Sequence, residues 1–432
     1  MPEKIEVNQR RFWIVAWAYF IGVMLAYACV ILFAKAPPAF VDYPDWVYQG
    51  FLFHGVLSGH PFAGYVLKHY PVPNSTTTIG LGLLDTVLPW QWAAKAWICL
   101  YLALATFATW FVLHVFSFRE WRFVVALPAI VFLNLDFWYG HISFEIGICL
   151  VLLLLGLLKR NASSWTVSLM LVLLFFTHME ACAGAILLLV LWCVVTRRWR
   201  EIWTAIPTIA LTAWYVVARF SGGNLDVQGL PKADYAYGSP GFLVYKTNTF
   251  FKIFGYVNAC TASGLSQGEE IFGKGLFLLL IAASLILSIF CLLHMLALVT
   301  KPGSDKFRKI AGAFVLILLV ISTFLPQIWL GVADPGSRLL LLAAAVGLLF
   351  IKWRNPTGLA IAGLSALFCL VNLWQFAKVE NNPGVGERPR DIPAALIRYG
   401  HVEPSTRVFY YEKLKRGEMK EYVFPTGIFR KN

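Results

Sequence analysis

The stretch FWIVAWAYFIGVMLAYACVILF, Phe12 to Phe33, carries no charged side chain, and it decides what solvates this chain. A helix needs roughly 20 apolar residues to cross about 30 Å of hydrocarbon, and this run is long enough. Its end, Ala34-Lys35-Ala36, imitates a signal-peptidase site, but the apolar length marks an uncleaved first span. Similar runs recur at Ala94–Phe116, Phe123–Leu133, Ile142–Leu158, Trp165–Phe176, Ala181–Val195, Ile202–Ala218, Gly275–Val299, Ile310–Leu330, Leu339–Ile351 and Leu359–Phe376. About eleven spans are therefore expected, the shorter ones extending into flanking aromatic residues. The whole chain of 432 residues is 59% hydrophobic and 14% charged, too apolar to be solvated by water. In lipid every backbone polar group must be paired within the protein, so the fold class is all-α, a polytopic transmembrane helical bundle.

One further apolar stretch, Thr78 to Trp90, contains Asp85 and reads either as a span or as a re-entrant or interfacial helix. Basic residues decide between them, because cytoplasmic loops are enriched in Lys and Arg. If Thr78–Trp90 does not cross, one side receives Lys4, Arg10 and Arg11, Arg119 and Arg122, Lys159 and Arg160, and Arg197, Arg198 and Arg200. The same side receives Lys301, Lys306, Arg308 and Lys309, then Lys352 and Arg354. If it crosses, the later clusters flip outward and the rule fails. The N-terminus is thus expected in the cytoplasm and the tail outside. The net charge of +13 comes from these small clusters between spans, a topology signal rather than a nucleic-acid surface, so no nucleic-acid partner is expected.

The opposite side then collects Asp42, Asp45, His54, His60, His69, Asp85, Asp136, His141, Glu145, His178, Glu180, Asp226, Asp234, Glu269, Glu270, Asp334 and Arg338. Acidic residues contribute little to orientation, so this segregation is independent of the counting and implies a polar chamber on the outer face. Residues 1–377 form the expected membrane domain, with long outer loops at 34–92 and 219–274, and 378–432 a small extracytoplasmic segment. Within the first loop Trp46 to Leu57 reads as an interfacial amphipathic helix anchored by Trp46, Phe51 and Phe53. The second is rich in Gly, Ser, Tyr and Pro and reads as a lid or binding loop. In the tail, Asp391–Arg398 reads as a helix and Arg407–Tyr411 as a strand.

Four local patterns could carry chemistry. Val41-Asp42-Tyr43-Pro44-Asp45-Trp46 holds two carboxylates beside a backbone-restraining proline, which suits a general base or a divalent cation site; solvated loop charges or a helix cap is the plainer reading. Asn134-Leu135-Asp136-Phe137-Trp138-Tyr139-Gly140-His141, followed by Glu145, offers groups that contact a sugar or polarise an acceptor, with Trp138 and Tyr139 as interfacial anchors. Thr177-His178-Met179-Glu180 interrupts a hairpin of apolar helices. Asp334-Pro335-Gly336-Ser337-Arg338 opens another helix, where Arg suits phosphate or merely pairs with Asp334 as a cap. P-loop, dinucleotide, His-Glu-x-x-His and Gly-x-Ser-x-Gly motifs are absent from the sequence. No Cys-x-x-Cys pair is present, and Cys29, Cys99, Cys149, Cys193, Cys291 and Cys369 fall inside apolar runs, whereas Cys182 and Cys260 lie nearer the outer side as free-thiol candidates. Asn74-Ser75-Thr76 is a glycosylation sequon only in a host that modifies outer loops.

This layout resembles the GT-C superfamily of integral membrane glycosyltransferases, over nearly the whole chain. The resemblance is to bacterial members with an Asp-x-Pro-Asn-like first loop, a Tyr-x-x-x-Pro-Asn stretch and an aromatic-Gly-x-x-x-Phe turn. Here these read Asp42-Tyr43-Pro44-Asp45, Tyr70-Pro71-Val72-Pro73-Asn74 and Tyr139-Gly140-His141-Ile142-Ser143-Phe144. The resemblance implies transfer of a sugar from a polyprenyl-phosphate donor to a glycan, lipid or protein acceptor on the non-cytoplasmic face of a bacterial plasma membrane. It implies Asp42 or Asp45 as catalytic base or ligand of a divalent metal such as Mg or Mn. It places the lipid phosphate at Arg338, and the residues themselves add His69, Asp136, His141, Glu145, His178 and Glu180 as expected donor or acceptor contacts. The first loop departs from the Asp-x-Asp or Asp-Glu of better known branches. Competing expectations are a transporter or lipid-linked-sugar flippase, which places ionisable groups near the bilayer midplane, and a non-catalytic relative.

Overall fold

The computed structural model describes residues 2–34, 40, 43–61, 65–221, 240–252, 274–301, 303–326, 328–329, 332–351, 353, 356–381 and 409–411. Among them nine helices are long and apolar enough to cross a membrane: Arg11–Phe33, Trp90–Val115, Trp121–Tyr139, Ile142–Lys159, Met179–Thr196, Trp199–Ala218, Leu278–Thr300, Lys306–Phe324 and Pro356–Ala377. The chain is an all-helical integral membrane protein.

In chain order the elements are α1 (Pro2–Phe33), α2 (Tyr43–Leu57), β1 (Tyr65–Leu67), α3 (Ser75–Leu84), α4 (Trp90–Val115) and α5 (Trp121–Leu127). A π turn, Pro128–Phe132, continues α5 and is followed by α6 (Leu135–Tyr139), α7 (Ile142–Lys159), α8 (Ser164–Thr177) and α9 (Met179–Thr196). Next come a 3-10 segment, Trp199–Ala205, then α10 (Ile206–Ser221), α11 (Pro240–Lys252), α12 (Lys274–Thr300) and α13 (Lys306–Phe324). The hairpin β2 (Ile328–Trp329) and β3 (Val332–Ala333) leads into α14 (Pro335–Gly347), extended by a 3-10 turn at Leu348–Phe350. The last elements are α15 (Pro356–Asn381) and β4 (Phe409–Tyr411).

Burial sorts the helices into centre and periphery. The apolar stretch of α7 is 89% buried, whereas that of Trp199–Ala218 is only 22% buried. The peripheral helices display Trp165, Leu169, Trp203 and Val217, side chains whose exposure is affordable only against acyl chains. Helix α14 is entirely buried along its length. It packs against α13, α9 and α7 and so carries its first-turn residues into the middle of the bundle.

Several expectations change on contact with the fold. Thr78–Trp90 is broken: α3 ends at Leu84 after ten residues, too short to cross alone, and α4 begins at Trp90. Trp165–Phe176 and Leu339–Ile351 fall in the shorter apolar helices Ser164–Thr177 and Pro335–Phe350. The run Ile310–Leu330 stops as a helix at Phe324, ahead of Pro326, and its end forms the β2–β3 hairpin. Trp46 is no interfacial anchor: with Val47, Tyr48, Gln49 and Leu52 it is buried, and α2 packs along α3 while Val56 and Leu57 stay exposed. Trp138 is no interfacial anchor either, since it is buried with its indole N–H donating to the Leu133 carbonyl at 3.1 Å. Cys29 lies exposed on α1, and Cys182 is a free thiol but a buried one. The expected helix Asp391–Arg398, Cys260 and most of loop 219–274 lie outside the described residues.

The expected tail strand is found at Phe409–Tyr411, antiparallel to β1 in the first loop, with Val66 opposite Tyr410 and Leu67 opposite Phe409. Tail and first loop therefore share one face. Opposed residues in such a pair have Cα atoms about 4.5–5.5 Å apart, within disulfide range. A Val66→Cys/Tyr410→Cys protein should form an intramolecular disulfide on mild oxidation, read by gel mobility after cleavage between the sites. The one-residue offset pair Val66→Cys/Tyr411→Cys should not, because the register does not set these two positions opposite each other.

Candidate functional site

The site begins with a local device. Asn134 caps α6, its side-chain oxygen accepting from the N–H groups of Asp136 (2.8 Å) and Phe137 (3.2 Å) while its amide donates to the Val131 carbonyl (2.7 Å). Helix α6 lasts five residues and ends at Gly140, whose φ of 84° lies in the left-handed region. The N–H of His141 then returns to the Asp136 carbonyl and that of Gly140 to the Phe137 carbonyl, both at 3.0 Å. Glycine is also required by space, since a Cβ at position 140 would lie 2.6 Å from the backbone nitrogen of Tyr43. This closure sets two side chains together: Nδ1 of His141 lies 2.5 Å from Oδ1 of Asp136. It also seats the segment around Phe40 and Tyr43 directly on the turn.

Arg338 joins from the first turn of α14. It is 7% exposed, with Nε 3.5 Å from Oδ1 of Asp136 and Nη1 3.7 Å from Oε2 of Glu180 at the start of α9. Asp136 is 4% exposed. The capping pair between Asp334 and Arg338 is not what forms: Asp334 makes no side-chain cap, and Arg338 reaches across the bundle instead. Its Nη2 lies 3.3 and 3.2 Å from Nδ1 and Nε2 of His141. The guanidinium is thus within hydrogen-bond distance of both ring nitrogens, one of which already meets Asp136.

Two further segments close the cluster. Asn74, which ends the Pro71-Val72-Pro73-Asn74 stretch, accepts from the backbone N–H of Met179 at 3.3 Å, satisfying a donor at the start of α9 beside Glu180. Thr76 bonds Thr177 at 3.2 Å, and Ser143 donates to Thr77 at 2.8 Å. Asn74 is buried in this contact, so the sequon is not presented as a glycan acceptor. His178, extended between α8 and α9, is buried against the Phe144 ring at 5.1 Å. Burial, then the positive charges of Arg338 and His141, hold its imidazole below the usual histidine range, in the neutral form. On α9 the absence of a side chain at Gly184 lets the helix seat on Leu342 of α14, which brings Glu180 within reach of Arg338.

Tyr245 and Lys246 of α11 lie beyond the sequence reading of this site. Lys246 Nζ donates to the Ser322 carbonyl at 2.6 Å, beside the first turn of α14, where Ser322 Oγ in turn donates to the Gly336 carbonyl at 2.8 Å. Burial lowers its ammonium to about 8, against a smaller raising effect of Asp334. Burial raises the Asp334 carboxyl, while Tyr245 acts the other way by hydrogen bonding. A lysine between aromatic residues, inside a segment already read as a binding loop, was the available signal.

Not every expected residue joins. His69 is exposed on the bend after β1. Asp42 and the Asp45 side chain lie outside the described residues. Glu145 is fully buried a turn into α7, on the Asn134 side of the site, where Tyr101 donates to its Oε2 at 2.9 Å. As for a divalent metal, the two cluster carboxylates converge on the Arg338 guanidinium, which already supplies their cation. No group of three metal-ligating side chains occurs among the described residues, so this cluster does not fit one.

Removing Arg338 would leave two buried carboxylates without their cation, at a cost of about 3–5 kcal/mol. Arg338→Gln should melt well below wild type in detergent, and Arg338→Gln/Glu180→Gln should recover part of the loss; equal melting of single and double variants would deny the pairing. Compared with protein-family models, with curated proteins and with solved structures, the chain finds no match, so its function has to be argued from this cluster.

Proposed function

We propose that the chain is a membrane glycosyltransferase of the GT-C type, moving a sugar from a polyprenyl-phosphate donor to a glycan, lipid or protein acceptor at the non-cytoplasmic face of a bacterial plasma membrane. One observation carries the reading. Four segments assigned to the outer side from sequence, at Asn74, at Asp136 and His141, at Glu180 and at Arg338, meet in one buried cluster, and the segment next to Asp42 packs on it through Tyr43. The topology agrees with this if α8 and α14 also cross, giving about eleven spans, a cytoplasmic N-terminus and an outer tail. The pairing of β4 with β1 supports a tail on the side of the first loop.

In this reading Arg338 receives the donor phosphate. A guanidinium carries five donors in a fixed fork and can hold carboxylates and a phosphate together. Its low-dielectric setting strengthens that attraction. The acceptor hydroxyl gives up its proton to a base, its oxygen bonds the anomeric carbon, and the carbon–oxygen bond to phosphate breaks with the electron pair leaving on the polyprenyl phosphate. The resemblance assigns the base, or a metal ligand, to Asp42, with Asp45 beside it.

A second reading has its own observation. Glu145 is fully buried next to the π turn, where the Leu133 N–H reaches back five residues to Pro128 and the Tyr101 hydroxyl lies 2.6 Å from the Phe132 carbonyl. π turns and buried ionisable groups frequent transport sites, so a proton-coupled transporter or flippase is the alternative.

The test is the glycan and glycolipid profile of membranes from cells carrying wild type, a deletion, Arg338→Lys and Asp42→Asn at matched protein levels. One sugar should be missing in the deletion and reduced about a hundredfold or more in Arg338→Lys. An unchanged deletion profile would sink the transferase. Accumulation of an unflipped lipid-linked sugar on the cytoplasmic side would establish the transporter instead.

A further inference from the structure

We infer that Lys246, in the notch where α11 meets the end of α13 and the first turn of α14, binds a phosphate group borne on an apolar chain. The inference concerns binding and holds whether or not the chain transfers a sugar.

Lys246 is a buried cation without a close counter-ion. It is 6% exposed, and among the described residues no carboxylate comes within ion-pair distance of its ammonium. An ammonium has three donors. One goes to the Ser322 carbonyl at 2.6 Å, and the rings of Tyr245 and Phe242 stand 4.9 and 5.5 Å away, which leaves two N–H groups for a ligand. Asp334 acts on the ammonium from longer range, and burial outweighs it, lowering the amine to about 8. A buried charge in this condition is stabilised by an anion brought into contact with it.

Arg338 is in the opposite condition, because Asp136 and Glu180 already approach it. A phosphate at this end of α14 therefore calls for a second cation, and Lys246 supplies it. Access is provided by Gly336, two residues before Arg338. A Cβ there would lie 3.2 Å from Nζ of Lys246 and 3.1 Å from the Ser322 carbonyl oxygen, so the amine rests against bare backbone at the helix start, whose dipole adds to its attraction for anions.

The rim of the notch is apolar. Leu243, about one turn before Lys246 on α11, is 69% exposed, and Phe324, two residues after Ser322, is 67% exposed. An apolar chain lying against Leu243 and Phe324 would carry its phosphate head inward to Lys246. Two lipids have this chemistry, the polyprenyl-phosphate donor of the proposed transfer and a phospholipid of the outer leaflet. The titratable groups around the amine are Asp334 at the start of α14 and Tyr245 beside it on α11. Helix α12, also packed on α11, brings no charged residue between Gly275 and Phe290, and α13 contributes the neutral Ser322.

The experiment follows the melting temperature of the purified full-length protein in a phosphate-free neutral detergent. A short-chain polyprenyl phosphate, phosphatidylglycerol or the polyprenyl alcohol is titrated in, and each shift is taken against the same variant without lipid. Wild type should be stabilised by a phosphate lipid and not by the alcohol. Lys246→Met should weaken that binding about 10–100-fold, the loss of a charge-assisted hydrogen bond. Lys246→Arg should keep it, and keep it above about pH 8, where wild type weakens as its free amine loses a proton. Dependence of the polyprenyl phosphate on Lys246 would place the donor in the notch, and dependence of phosphatidylglycerol alone would assign the same site to a bilayer phospholipid. Equal shifts in wild type and Lys246→Met with both lipids, or an alcohol as effective as its phosphate, would overturn the site. If Lys246→Met does not fold, Lys246→Arg decides, and a pH profile identical to wild type would count against the lysine. An unchanged glycan profile in the deletion removes the transferase reading and leaves these binding results standing.

Discussion

A guanidinium inside a membrane bundle has to be neutralised by the protein, and that constraint organises this molecule. Transferring an unpaired charge from water into low dielectric is costly enough that the helices bearing the partners must assemble around it. Asp136 and Glu180 come from α6 and α9, and Arg338 from α14, so one cation fixes how three elements meet. Buried ion pairs contribute little net stability, but they discriminate strongly between registers. Sliding α14 by one turn would bury Arg338 among leucines and strand both carboxylates.

The local structure is built to serve that arrangement. Helix α6 is too short to be stable by itself, and it exists because Asn134 satisfies its first donors and Gly140 its last acceptors. The same closure folds residue 141 back onto residue 136. The break at His178 works differently: an extended residue separates two apolar helices, and the donor it exposes at Met179 is taken up by Asn74 from another part of the chain. Polar residues thus gather at one end of the bundle, where irregular backbone finds partners in neighbouring segments.

The membrane bundle was legible from apolar length alone, and so was the grouping of Asp136, His141, Glu180 and Arg338, because charge asymmetry placed them on one side. What the sequence could not convey was which apolar surfaces face protein. Trp46 and Trp138 look like interfacial anchors because an aromatic residue near a span end has the same signature whether it faces headgroups or the core. The whole of α14 is buried while Trp165 and Leu169 on α8 face outward, yet both helices read as plain apolar runs. Ion partners were obscure for a related reason. Sequence spacing favoured Asp334 for Arg338, but the partners that form lie 202 and 158 positions away. Lys246 escaped notice because its ammonium is anchored by a carbonyl 76 positions distant.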